Sequence, residues 1–546
     1  MDGRVPAGEA LSPLRYQMPR ADHHVSEAPL DLPTRISDVV KPWAEHSPDR
    51  PALVEATGVW TYKQLALAVS DTQTWLRNLG VRPGDRVMIV GENCRAFVAI
   101  LLASAACDAW PVLVNARLSA REIDEIRNHC GARRVLYTTS VSPNAADHAQ
   151  RHGAVVEERD GLGSTGIGPL NESVEPEPLD ANVTDRVAAL IYTSGTTGVP
   201  KGVMLSHRNL LFMADGSARI RSVRPEDRLY GVLPMSHAVG LSVVLLGSLI
   251  AGASTYLTPR FDPLTARATL EKDQLTLLLG TPAIFNQLLR YAKLRKISSL
   301  KLPALRIISS SGAPLNPATK LGIESLFGMV LHNGYGVTEC SPTIALTRPE
   351  APRTDTSIGA VFPGVEIKLV GSNGQMVPAG EVGELRVRGP NVMKGYYRAP
   401  EETSAAIDAE GWFNTHDLAQ LESGNLFIVG RAKDLIVHRG FNVYPAEVEA
   451  VLNAHPAVAQ SAVVGRSVEG DEEIIAFVQP LPETVVTPAD LAEYAGQHMA
   501  SYKRPSQIVI VPAMPTTATG KIAKAELEKI AKCGQFGAHA VTTLNR

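Results

Sequence analysis

Little in this sequence points toward a disulfide scaffold, a membrane or a polyanion. Only five cysteines occur, Cys94, Cys107, Cys130, Cys340 and Cys533. They are scattered, odd in number and without metal-ligand spacing, which argues against a disulfide framework or a cysteine zinc site and fits reduced thiols. Cys340 has no partnered His in the pattern and reads as a small buried apolar residue. The longest apolar run, Val239 to Ala253, falls short of the about 20 residues a membrane helix requires. Met1-Asp-Gly-Arg-Val-Pro6 lacks the apolar core of a secretion signal. Leu544-Asn-Arg546 is no peroxisomal address. An excess of one charge is also missing. The chain carries 53 Lys plus Arg against 56 Asp plus Glu, a net charge of −3, so no nucleic-acid partner or membrane-seeking surface is expected. These absences leave a soluble, cytoplasmic protein as the expectation.

What is present is a globular composition, 45% hydrophobic over 546 residues. That length exceeds one hydrophobic core and predicts at least two domains. Residues 1–32 are rich in Pro, Ala and charge without periodicity and read as a loose extension. From Ile36 strands and helices alternate. Thr61 is a candidate cap for a helix opening at Tyr62. Asp85 to Val90 reads as a strand, Phe97 to Cys107 as an apolar helix, Trp110 to Val114 as a strand, and a helix starts near Leu118. This alternation predicts an α/β fold. Gly161 to Asn182 reads as a loop. It leads into a buried strand, Val187 to Ile191.

After that strand comes Thr193-Ser-Gly-Thr-Thr-Gly-Val-Pro-Lys-Gly202, which holds three glycines, four hydroxyl residues and one lysine. Gly195 and Gly198 let backbone N–H groups approach an anion closely. Thr193, Ser194, Thr196 and Thr197 add hydroxyl donors, and Lys201 adds a point charge. The composition is that of a polyphosphate cradle. It is not a Walker A loop, because Val199-Pro200 separates Gly198 from the lysine and the following residues read as a strand.

This stretch resembles the phosphate loop of the adenylate-forming superfamily, which comprises acyl-CoA synthetases, peptide-synthetase adenylation domains and beetle luciferases. The resemblance runs from Ile36 to Glu528. It implies a large α/β domain over 33–430, a smaller mobile α+β domain over 431–532, and a tail over 533–546 that reads as disordered.

Other motifs follow the same resemblance. Ser311-Gly-Ala-Pro314 ends a buried strand and leaves room for a flat ring to slide past. Asn333-Gly-Tyr-Gly-Val-Thr-Glu339 puts Tyr335 between Gly334 and Gly336, where its ring can lie against adenine. Thr338 offers a hydroxyl, and Glu339 a hard oxygen suited to Mg²⁺. The family's metal site implies Thr196 alongside Glu339. Asp417 can accept from both ribose hydroxyls, and Arg431 resembles the second ribose contact. His416 stands where the family usually has Gly, a departure expected to shift the backbone or crowd the ribose edge. The acyl site is expected along His237, Ala238, Val239, Gly280, Thr281, Gly312, Ser341 and Ile344, with His237 ordered around the carboxylate. Met393-Lys-Gly-Tyr-Tyr397 reads as structural.

In the small domain Lys433 falls at the family's hinge. Gly440 fits a place where a pantetheine arm passes the backbone, flanked by Arg439 and Phe441. Arg439 and Lys503 are candidates for CoA phosphates. Lys521 resembles the lysine that reaches the α-phosphate and carboxylate. With Lys521, Glu339, Thr338 and His237 as catalytic residues, the resemblance implies an ATP-dependent, Mg²⁺-requiring, AMP-forming acid:CoA ligase. Its acid would be aryl or medium-chain fatty, and a homodimer fits the family. The rival readings are a ligase loading a carrier protein in trans, an oxygenase of luciferase type, and a nucleotide-binding protein built on an inactive ligase.

Overall fold

The computed structural model describes residues 32–194, 200–439, 441–468, 471–481, 484–516, 522–534 and 540–543. Two sheets form the frame of the large domain. In an eight-stranded sheet, Arg86–Gly91 and Trp110–Asn115 run parallel from Arg86↔Trp110 to Gly91↔Asn115. Every residue of both strands is buried. Helices cover both faces of such a strand, so it reads as a continuous apolar run rather than an alternating one. Val187–Ser194 joins Trp110–Asn115 in parallel and pairs antiparallel with Pro200–Ser206. The two strands flank the glycine-rich stretch, with Thr193 opposite Lys201 and Ser194 opposite Pro200.

A nine-stranded sheet carries Ser254–Leu257, Arg228–Gly231, Leu277–Gly280, Ile307–Ser310 and Leu331–Gly336 side by side in parallel. Its register sets Gly280 beside Ser310 and Ser310 beside Asn333. The carboxyl ends of adjacent parallel strands are where open α/β sheets bind ligands. Helices begin where local chemistry allows. Thr61 and Gln64 form a reciprocal capping box for Tyr62–Asn78, as do Ser119 and Glu122 for Ala120–Cys130, each cap satisfying N–H groups that the helix leaves unpaired.

An antiparallel four-stranded sheet, ending in Phe413–Glu422 and Asn425–Arg431, completes the large domain. The smaller domain holds a two-stranded hairpin, Ile436–His438 with Phe441–Val443, and a second four-stranded sheet. That sheet buries one face on Leu452 and Leu491 and the other on Met514 and Leu527. Among the described residues no helix is long and apolar enough to cross a membrane. Cys94, Cys107, Cys130 and Cys340 are buried free thiols, and Cys533 is exposed.

Two expectations are corrected. Within the segment read as a loop, Gly163–Ile167 is a strand paired with Val155–Arg159 and with Arg134–Tyr137. Its glycines hid it. A Cβ on Gly166 would stand 3.0 Å from the Ala149 Cβ, so the small residue admits the helix Pro143–Arg151. In the segment read as a disordered tail, Ala540–Thr543 pairs antiparallel with Gln507–Ile510. Four residues are too few for a period-2 signal to be read without the partner strand.

Candidate active site

The candidate ribose corner is built by strand register. Asp417 and Arg431 are direct cross-strand partners, and Arg431 Nε donates to Asp417 Oδ1 at 3.0 Å. The Tyr335 hydroxyl donates to Oδ2. Each carboxylate oxygen thus holds one protein partner and keeps a lone pair for another donor. Below it, the Asp417 N–H donates to Thr415 Oγ1 at 3.1 Å. The Asp417 side chain is 5% exposed while that of Arg431 is 50% exposed. Burial pushes the Asp417 carboxyl above its ordinary value even though Arg431 and Tyr335 pull the other way. Burial, reinforced by the Asp417 charge, pushes the Tyr335 phenol well up.

His416 does not crowd this corner. Its φ is +56°, the left-handed region glycine favours. Its exposed ring meets Glu384 Oε1 through Nδ1 at 3.2 Å, since adjacent strand residues point to opposite faces.

The candidate phosphate corner joins two chain segments. Lys201 Nζ lies 5.0 Å from the centre of the Tyr396 ring, and the Tyr396 hydroxyl donates to Glu339 Oε1 at 2.9 Å. Glu339 rides a single 3₁₀ turn, Thr338–Cys340, and its carbonyl accepts from Met393 N–H at 2.8 Å. Gly336 allows the approach to that turn, because a Cβ there would fall 1.9 Å from the Pro342 carbonyl oxygen. Gly195, Thr196, Thr197 and Gly198 lie outside the described residues. Among the described residues no three His, Cys, Asp or Glu side chains gather into a metal cage. One carboxylate with an oxygen to spare fits Mg²⁺, which keeps its waters and takes substrate phosphates.

The candidate acyl corner follows the strand ends. Thr281 Oγ1 caps Pro282–Leu294 by accepting from Ile284 N–H at 3.4 Å. Gly312, at φ +86°, leaves 3.7 Å between the place of a Cβ and Thr281 Cγ2. Ser311, Gly312 and Ala313 are half-buried and Pro314 is exposed. Asn333 is buried and donates to the Thr356 carbonyl at 3.0 Å. His237 and Val239 are half-buried and Ala238 is buried. The following residues, Val239–Leu246, wind as a π-helix. Ser341 and Ile344 have no accessible surface, and the Ser341 hydroxyl donates to the Asn391 carbonyl at 2.8 Å.

The AMP-binding enzyme family profile matches residues 40–397, and that of the AMP-binding enzyme C-terminal domain matches residues 447–521. The chain belongs to the AMP-binding enzyme family. A feruloyl-CoA synthase of Amycolatopsis sp is 33% identical over 490 residues, covering 89% of this chain and 97% of the relative. A 4-coumarate–CoA ligase of Pinus taeda is 32% identical over 497 residues, covering 88% and 91%. The crystal structure of ATP-bound MatB from Rhodopseudomonas palustris superposes with a TM-score of 0.80 at 28% identity, covering 91% of this chain and 99% of that one. The protein is an AMP-forming acyl-CoA synthetase of the adenylate-forming superfamily, with a large domain followed by a smaller one.

In this AMP-binding enzyme Arg439 and Phe441, candidates on the CoA side, are exposed, and Lys503 is half-buried. Phe441 stacks on Tyr502 with ring centres 4.6 Å apart. Arg439 has φ +52°, and its N–H donates to Asp471 Oδ1 at 2.7 Å. Lys503 pairs with Glu447 at 2.5 Å. Lys433 sits in the single turn Ala432–Asp434. Gly440 and Lys521 lie outside the described residues. Two residues of the large-domain site escaped sequence reasoning. Tyr396 sat in a phrase read as structural. Asn93 donates to the Gly231 and Leu233 carbonyls and accepts from Met235 N–H, all at 2.9 Å, fixing the loop that carries His237. The only signal for Tyr396 was its place beside a glycine in a chain poor in aromatics.

Proposed function

We propose that the enzyme activates an aryl carboxylic acid of the hydroxycinnamate type and transfers it to CoA. The observation that carries this reading is the acyl corner. Gly280 ends its strand, Gly312 lies two residues beyond the end of the next, and Gly334 follows the last parallel pairing of the third, and no Asp, Glu, Lys or Arg is among the residues assigned to the corner. Such a slot suits a flat apolar ring. The names of the feruloyl-CoA and 4-coumarate relatives agree with that chemistry.

In the first step a carboxylate oxygen attacks the α-phosphorus of ATP and pyrophosphate leaves. Two anions meet, so preorganised positive charge and donors lower the barrier most. Lys521 draws on the carboxylate and α-phosphate. Lys201 and the Thr193–Gly198 hydroxyls and N–H groups hold the departing phosphates. Asp417 and Arg431 hold the ribose, Tyr335 and the Ser311–Pro314 loop the adenine, and His237 orients the acid. Glu339, with Thr196, would hold Mg²⁺, which would supply charge neutralisation for the phosphates. In the second step the CoA sulfur attacks the acyl carbon and AMP leaves. Lys433 is the hinge between the domains 33–430 and 431–532, and it brings Arg439, Gly440 and Phe441 to the thiol.

The test is mass spectrometry of the products from purified enzyme, Mg-ATP and a panel of cinnamic, benzoic and fatty acids, with and without CoA. Hydroxycinnamoyl-CoA plus AMP is expected. An acyl adenylate that ignores CoA points to loading of a carrier protein. Preference for a fatty acid overturns the assignment of the acid alone.

A further inference from the structure

Lys201 and Glu339 carry opposite charges at one corner, yet they do not pair with each other; both contact Tyr396 instead. Strand pairing places that tyrosine. Gly395–Tyr396 runs antiparallel to Pro200–Ser206, with Tyr396 opposite Val203. Lys201 lies two residues from Val203 and therefore on the same face, a diagonal neighbour within reach of a long side chain. From behind, Tyr396 N–H donates to Thr403 Oγ1 at 2.9 Å, and that hydroxyl donates in turn to the Ala399 carbonyl at 2.8 Å. Gly395, at φ +142°, admits Thr403, whose Cγ2 would be 2.6 Å from a Cβ. The ring is thus held by a strand pair on one side and a helix start on the other.

We propose that Tyr396 is a positioning residue that keeps Lys201 and Glu339 from neutralising each other before ATP binds. The ring face takes the ammonium. The hydroxyl caps one oxygen of Glu339, and the other would be the one to take Mg²⁺. Without the ring, a flexible lysine and a carboxylate at one corner form an ion pair, and incoming Mg-ATP has to break it. This inference rests on the reading of Lys201 and Glu339 as ATP contacts.

The test measures equilibrium binding of ATP by calorimetry without acid, so that no turnover occurs, with and without Mg²⁺. Tyr396→Phe keeps the ring and frees the carboxylate. It is expected to weaken Mg-ATP binding about tenfold, the scale of one hydrogen bond to a charged group, with a smaller effect on ATP alone. Tyr396→Leu also releases Lys201 and is expected to weaken ATP alone by a similar factor. In a Glu339→Gln background, Tyr396→Phe is expected to lose its effect, because it acts through that carboxylate.

Additive losses in that cycle overturn the proposal. So do equal losses in Mg-ATP binding and in thioester formation from added acyl adenylate, the sign of a general structural role. If Lys201→Met and Glu339→Gln weaken Mg-ATP binding while Tyr396→Phe does not, the spacer role alone fails. If Lys201→Met and Glu339→Gln bind Mg-ATP as the parent does, the ATP-site reading fails and takes the proposal with it.

Discussion

Asp417 and Arg439 both stand in antiparallel hairpins, but their surroundings differ. Asp417 is buried at 5% exposure and grips Arg431 and Tyr335 with its two oxygens. Arg439 is exposed, and the contact that fixes it runs through its backbone to Asp471. The strands beside Asp417 belong to a four-stranded sheet, whereas those beside Arg439 form a sheet of two. A charge that must meet a rigid nucleotide gains from fixed geometry, because preorganised groups do not reorganise when charge develops. A charge that meets a long, flexible co-substrate gains more from access. The comparison predicts that substitutions on the nucleotide side change binding and the first step, while those on the hinge side divide the two steps.

The largest effect is expected for Lys521→Ala. Adenylation, followed by pyrophosphate exchange, should fall by about 10² to 10³, the scale of removing one preorganised donor. Exchange at the parental rate would remove Lys521 from the first step. Lys433→Pro should slow thioester formation about 100-fold, the cost of small misplacements at a reacting centre, while exchange continues. Proline fixes φ at the turn Ala432–Asp434 and disfavours the helical region at Ala432. Equal slowing of both steps would deny Lys433 a hinge role.

Asp417→Asn is next. It keeps the shape, removes the charge facing Arg431, and should raise the KM for ATP about 10- to 100-fold. Its stability carries a pH signature. Burial raises the folded-state pKa of Asp417, so the stabilisation linked to its neutral form is fully present below the unfolded carboxylate value and lost as pH rises through the folded value. Thermal unfolding of the variant should therefore improve relative to the parent on going from about pH 4 to about pH 7. A difference independent of pH would show that Asp417 titrates alike in both states.

The smallest effect is expected for His416→Gly. Its left-handed φ costs a non-glycine residue about 1 kcal/mol, so the variant should gain up to that amount in chemical denaturation with ATP kinetics unchanged. A changed KM for ATP would bring His416 back to the ribose edge.

Much of the large domain was legible in the chain because its signals are local. Buried parallel strands are continuous apolar runs, and Thr61, Ser119 and Thr281 cap their helices within three residues. Gly163–Ile167 and Ala540–Thr543 were not legible. Glycine weakens the strand pattern in one, and the other is a strand only beside Gln507–Ile510.

The residues at the site divide along the same line. The glycine and hydroxyl density of Thr193–Gly202 and the run Asn333–Glu339 declare an anion cradle and a carboxylate by composition alone, since the required atoms are contiguous. The sequence by itself therefore determined the superfamily and which segments are the candidates for its chemistry. Only the tertiary structure decided which side chains meet. Tyr396 reaches Glu339 from 57 positions away, and Asn93 holds Met235 across 142. Tyr335 turns its hydroxyl to Asp417 across 82 positions. These contacts follow from sheet register and from how the sheets pack, and the pattern of residues along the chain carries no direct record of either.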